Sequence, residues 1–319
     1  TKIRKQKGQE VNLHQQTIAS PVSCSGIGLH SGKMCEITLR PAMENSGITF
    51  VRTDLENNPS VPVHVSFVSD TSRGTTLVHG SASVRTVEHI LAAFSGLQID
   101  NAIIELTAEE IPAMDGSAND FVELIRKAGI SAQSKKRDII VIDREIVLKD
   151  STSGARIEAR PSDEFCISGT IEYSGILGRQ SVMLRNMENF VDEIAPARTY
   201  GFLSELKALK EADLAKGGNL ENAVVFMDNP LNSKLREELA ELFEIDPDEM
   251  AGNNGILNQG GLRFPDEPVR HKVLDLIGDL TLLGQPIQGE IIAQKMGHSA
   301  NVNFVKKLKQ EYLQKGVMA

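Results

Sequence analysis

His271, Asp275 and Asp279 recur at four-residue intervals in RHKVLDLIGDL. Residues four apart on an α-helix share one face, a turn from each other. The neighbouring Val273, Leu276, Ile277 and Leu280 are apolar, so this polar stripe runs beside a hydrophobic surface, where burial is costly unless something pairs with it. A divalent cation would satisfy His271 and Asp275 as nitrogen and oxygen ligands. An exposed face carrying an i, i+4 ion pair is the ordinary alternative. Glu88 and His89, in TVEHILAAF, offer a second set. Adjacent helical side chains point about 100° apart, so a metal-binding His89 leaves Glu88 close by as a base for water. A first-turn glutamate that favours the helix dipole is the plainer alternative. His298, in KMGHSAN, lies between a strand pattern and a helix pattern and either caps the helix or swings into a cleft. Asp279 could orient it and favour its imidazolium form, which would stabilise an oxyanion or protonate a leaving amine.

For these groups to meet, the elements carrying them must come together from distant parts of the chain. Short apolar runs and turn signals predict strands from Val11 to Val78. The spacing of Val87, Ile90, Leu91 and Phe94 predicts a helix over Val84–Leu97, with Thr86 as N-cap and Gly96 as stop. A strand over Asn101–Thr107 and a helix over Ser117–Gly129 follow. The charged SAQSKKRD, Ser131–Asp138, reads as a linker. Strand patterns then resume, and helices are predicted over Val269–Leu283 and Ser299–Leu313 around a strand in IQGEIIAQ. Each half is thus strands followed by helix–strand–helix. The fold class expected is α+β, two pseudo-symmetric two-layer sheet-and-helix domains spanning 1–134 and 135–319. With approximate two-fold symmetry, His89 would face His271 and Asp275 across the interface, a His2Asp set with a coordination position open for water. Arg52–Gly80 and Arg198–Pro268 fall outside the shared pattern; the second contains a predicted helix at Leu203–Leu214 and the acidic REELAELFEIDPDE.

The composition narrows the function. The 319 residues carry a net charge of −9, no Trp and 4% aromatics, which disfavours a nucleic-acid polymer as partner. No apolar run reaches the ~18 residues needed to span a bilayer, and Thr1–Glu10 has no apolar signal core. Three cysteines without a C-x-x-C pair suit a reducing compartment. The G-x-S-x-G elbow, H-E-x-x-H and the P-loop are all absent.

Taken in order, QQTI, GIGLHSG, TVEHILAAF, IPAMDGSA, ARTYGF, GGNLENAVV, RHKVLDLIGDL and GHSAN resemble the zinc-dependent UDP-3-O-acyl-N-acetylglucosamine deacetylases of lipid A biosynthesis. The resemblance implies one zinc per chain, or ferrous iron in the cell, held by His89, His271 and Asp275. It implies Glu88 as general base, His298 as general acid, Asp279 as its orienting partner and Thr199 as the oxyanion-stabilising hydroxyl. Lys272 and Lys295 match residues on the nucleotide-phosphate side, and Glu172 and Tyr173 fall where the family contacts uridine. Inserts are implied at about 61–77 and 198–225, the latter forming an apolar acyl passage with Phe202, Leu206 and Val225 as walls; ordinary core packing is the alternative for those three. The longer acidic stretch at about 226–262 departs from shorter members. The implied protein is a cytoplasmic monomer, in transient contact with membrane at most, acting on a UDP-linked acyl-sugar. Two other classes remain open: a different zinc amidase, which would release acetate from simple amides, and a non-catalytic sugar-nucleotide binder, which would need no metal.

Overall fold

Alternation of apolar and polar residues builds the first half. In the computed structural model, which describes residues 13–228, 232–243, 246 and 255–312, the chain starts with β1 (His14–Ile18), β2 (Val22–Ile27), β3 (Met34–Pro41), β4 (Ile48–Arg52) and β5 (Ser60–Pro62). There follow β6 (Val68–Asp70), β7 (Thr76–His79), β8 (Ala82–Val84), helix α1 (Glu88–Gly96), β9 (Ala102–Leu106), helix α2 (Asn119–Ala128) and β10 (Ile130–Lys136). The main sheet has the order β2-β3-β9-β4-β5. The late strand β9 slots between the two hairpins, antiparallel to β3 and parallel to β4. Ile104 lies opposite Leu39 on one side and Phe50 on the other, and all three are fully buried.

The second half repeats this wiring. It runs β11 (Ile140–Val141), β12 (Ile146–Lys149), β13 (Arg156–Arg160), β14 (Cys166–Glu172), β15 (Arg179–Leu184), α3 (Phe190–Glu193), β16 (Tyr200–Phe202), α4 (Leu203–Glu211), β17 (Val224–Phe226) and α5 (Ser233–Phe243). It closes with α6 (Glu267–Leu280), β18 (Ile287–Gln288), β19 (Glu290–Gln294) and α7 (His298–Tyr312). The sheet order is β12-β13-β19-β14-β15, with β19 again antiparallel to one hairpin and parallel to the other. The fold is therefore α+β with two sheet-rich halves.

One continuous apolar core joins the halves, with Phe94 of α1 and Val273 and Ile277 of α6 among its members. The two helices pack directly on each other. Gly278 permits this approach: a Cβ there would stand 2.1 Å from the carbonyl oxygen of Glu88. Glu88, His89, His271 and Asp275 are thereby brought to one buried seam.

Several expectations need correction. Ser131–Asp138 is largely strand, not linker: β10 pairs antiparallel with β1 and crosses the expected boundary at 134. Its side chains are almost all exposed, so it lacks the alternation that marks a half-buried strand. Thr86 does not cap α1; the cap position is Val87, and the Thr86 hydroxyl donates to Glu110 instead. The helix expected to reach Leu214 stops at Glu211. The first region outside the shared pattern carries the small sheet β6-β7-β8, which runs on to Val84. In the second, β16 and β17 pair in parallel around α4. The acidic tract begins as α5, whose Leu239 and Ala240 bury against Leu206, Val225 and Leu257; the rest of it, at 244–245 and 247–254, lies outside the described residues, as do Thr1–Glu10 and Leu313.

Candidate active site

His89 enters from α1, and His271 and Asp275 enter from α6, one turn apart. All three are buried. Asp275 Oδ1 lies 3.3 Å from His271 Nε2 and 3.7 Å from His89 Nε2, and the imidazole rings meet edge-on with centroids 5.0 Å apart. His271 Nδ1 donates to the carbonyl of Ala197 at 3.0 Å, which turns the Nε2 lone pair toward the aspartate. Burial and its neighbour His271 hold the His89 imidazole neutral, its pKa lowered to about 3. Burial opposes charge on Asp275, but His271 and the Lys272 ammonium hold its pKa well below the usual carboxylate range. Asp275 Oδ2 accepts from Lys272 Nζ at 2.8 Å, whereas Oδ1 is buried with no hydrogen-bond partner. Two imidazole nitrogens and an orphaned carboxylate oxygen facing one point suit a divalent cation.

Beside this set sits a pair with opposed proton affinities. Glu88, at the first turn of α1, is pushed by burial up to about 7. Its Oε2 accepts from the backbone N–H of Thr75 at 2.9 Å. His298, at the start of α7, is raised to about 9: burial works against its charge, but Asp279, Glu88 and Asp275 outweigh that. Its Nδ1 lies 3.0 Å from Asp279 Oδ2 and its Nε2 3.7 Å from Glu88 Oε1. A carboxyl that titrates near neutrality next to a histidine that holds its proton can accept and donate protons in one turnover.

Both sets open into a cavity of about 280 Å³. Thr199, Lys272, Leu206 and Val225 line it, and Leu209, Leu220 and Leu257 extend its apolar side. The two inserts meet there, since Arg73 pairs with Glu205 of α4 through both terminal guanidinium nitrogens, Nη1 and Nη2, at 3.1 and 3.2 Å. Phe202 is not among the lining residues. It packs with Tyr200, Tyr173 and Phe226 in an aromatic cluster, where Tyr173 Oη lies 3.0 Å from Tyr200 Oη. Glu172 and Lys295 lie outside the cavity as an exposed pair 3.5 Å apart.

The family described as LpxC, UDP-3-O-acyl N-acetylglycosamine deacetylase, matches residues 15–241 and 248–310. The chain belongs to this family. It is 40% identical over 299 residues to the UDP-3-O-acyl-N-acetylglucosamine deacetylase of Myxococcus xanthus, covering 93% of this chain and 87% of the relative. A Chlamydia pneumoniae protein of the same name is 42% identical over 92% of this chain and 96% of its own length. The "Bifunctional enzyme LpxC/FabZ" of Chlorobaculum tepidum is 42% identical over 93% of this chain. The chain spans only 64% of that bifunctional relative.

In this LpxC-family chain the site also contains groups that sequence spacing does not flag. Thr75 touches both Glu88 and Asp279, Asn301 donates to Asp279 Oδ2 at 2.9 Å, and His30 lines the cavity. Asn301 lies three residues beyond His298, one helical turn, which was the available signal. GIGLHSG marked His30 as a motif without a role. Thr75 had no signal, because its partners lie in other elements.

Proposed function

We propose that this chain hydrolyses the N-acetyl group of a UDP-3-O-(3-hydroxyacyl)-N-acetylglucosamine, releasing acetate and the free amine, the committed step of lipid A biosynthesis. The observation that carries this reading is the orphaned Asp275 Oδ1 facing two histidine nitrogens beside Glu88 and His298. His89, His271 and Asp275 would hold one zinc ion, and the same donors suit ferrous iron. When bound, the ion supplies Lewis-acid polarisation of the acetamide carbonyl and of the attacking water. Glu88 takes the proton from that water. Thr199 and protonated His298 stabilise the developing oxyanion. His298, held by Asp279, then gives its proton to the leaving amine. Lys272 and Lys295 serve the nucleotide-phosphate side and Glu172 and Tyr173 the uridine. Leu206 and Val225 wall the acyl passage, while Phe202 belongs to the separate aromatic cluster. The protein works as a cytoplasmic monomer whose contact with membrane is transient; among the described residues no helix is long and apolar enough to cross one.

Acetate release from the UDP-linked substrate, read beside metal content, tests the assignment. Glu88→Ala and His298→Ala retain the metal and lose ~10²–10⁴-fold in kcat. Full turnover in either variant refutes its role, and equal turnover on simple amides refutes the substrate.

A further inference from the structure

Thr75 is fully buried and belongs to the segment between β6 and β7, in the first half. Its hydroxyl donates to Asp279 Oδ1 at 2.6 Å, across the join between the halves. Its backbone N–H donates to Glu88 Oε2 at 2.9 Å. The other oxygen of Asp279 accepts from Asn301 Nδ2 at 2.9 Å and faces His298 Nδ1 at 3.0 Å. A carboxylate held on both oxygens has little rotational freedom left, and His298 takes its ring orientation from that carboxylate. The segment is also pressed against Glu88: a Cβ on Gly74 would stand 3.0 Å from Glu88 Oε1.

We propose that Thr75 is a positioning residue that aligns the acid–base pair from the first-half insert. Its amide fixes Glu88, and its hydroxyl fixes Asp279 and, through it, His298. One residue thereby sets the relative placement of two groups that arise from different halves. The proposal rests on the acid–base reading of Glu88 and His298. A threonine that merely fills its site would tolerate an isosteric replacement of the hydroxyl by methyl, whereas a positioning hydroxyl would not.

Thr75→Val keeps the shape and the backbone N–H and removes only the hydroxyl, which also lies 3.4 Å from His298 Nδ1. Steady-state acetate release should show kcat reduced roughly 10–100-fold, as expected for losing a hydrogen bond to a charged group. Because Thr75 does not line the cavity, KM should stay within about threefold of the parent. Metal content should be unchanged, and Thr75→Ser, which restores the donor, should recover kcat to within about threefold. In an Asp279→Ala background, which removes the acceptor, Thr75→Val should cost less than about twofold more, because the two act through one hydrogen bond. Unchanged kcat in Thr75→Val, equal losses in the valine and serine variants, or fully additive losses with Asp279→Ala would each overturn the proposal. If the valine variant does not fold, Thr75→Ala is read in the same way. His298→Ala in the same assay separates the two levels: full turnover there removes the acid–base reading and the proposal with it.

Discussion

Two imidazole lone pairs aimed at a carboxylate oxygen repel one another in a dry interior. A cation among His89, His271 and Asp275 would relieve that repulsion and satisfy the orphaned oxygen. The same logic of matched donors and acceptors applies at His30. Its Nε2 lies 3.2 Å from the carbonyl of Arg73, and its Nδ1 accepts from the N–H of Ala215 at 3.4 Å. Only the neutral ring satisfies both, and burial lowers its pKa below 6.5 despite the nearby Glu110 carboxylate. A depressed folded-state pKa means that the stability His30 contributes is present above the unfolded value of 6.5 and lost as pH falls through the folded value. Calorimetric Tm values should therefore fall more steeply on acidification in the parent than in His30→Gln; parallel curves would contradict this. At this scale the sequence was partly legible. The four-residue spacing of His271, Asp275 and Asp279, and the adjacency of Glu88 and His89, were visible because helical geometry relates near neighbours. Thr75 was invisible, since its Asp279 contact joins residues 204 positions apart. Thr86 misled because a capping residue type was used for another bond: it sits at φ +57° with its hydroxyl on Glu110.

Helices α1 and α6 are the elements on which the site depends, and a missing side chain sets their separation. Gly278→Ala would drive a methyl into the Glu88 carbonyl, 2.1 Å away. Overpacking of this kind costs about 1–3 kcal/mol, and here it would also part Glu88 and His89 from Asp275. Denaturant unfolding should show that loss, accompanied by weaker metal retention; an unaltered midpoint and metal content would argue against the close approach. Both helices were foreseeable from their apolar periodicity, and so was the strand–helix order around them. The ribbon β1–β10 was not, because β10 is exposed and charged and its partner lies at the start of the chain. The contribution of α5 was equally hidden, since an acidic composition does not reveal that Leu239 and Ala240 pack behind the apolar side of the cavity.

Over the whole molecule, two copies of one wiring, each with a late strand set between two hairpins, place α1 and α6 against each other. This is how chemistry from the two ends of the chain converges. The segment Arg198–Pro268 supplies what the repeated unit lacks, an apolar side to the cavity from Leu206, Leu209, Leu220, Val225 and Leu257. Each methylene buried there is worth about 0.8 kcal/mol, or roughly fourfold in kcat/KM. Val225→Phe should shift the preference among substrates of graded acyl length toward shorter chains, and an unchanged preference would remove Val225 from the passage. The sequence offered the two-half organisation through its order of elements, but not which insert residues face the cavity: Leu206 and Val225 do, while Phe202 turns into the aromatic cluster. The shared metal centre is tested most directly by zinc bound per chain at equilibrium, measured for the parent and for single alanine replacements of His89, His271 and Asp275. About one zinc should bind the parent, with a large loss of affinity in each variant; a parent that binds none, or variants that bind as tightly as the parent, would rule the centre out.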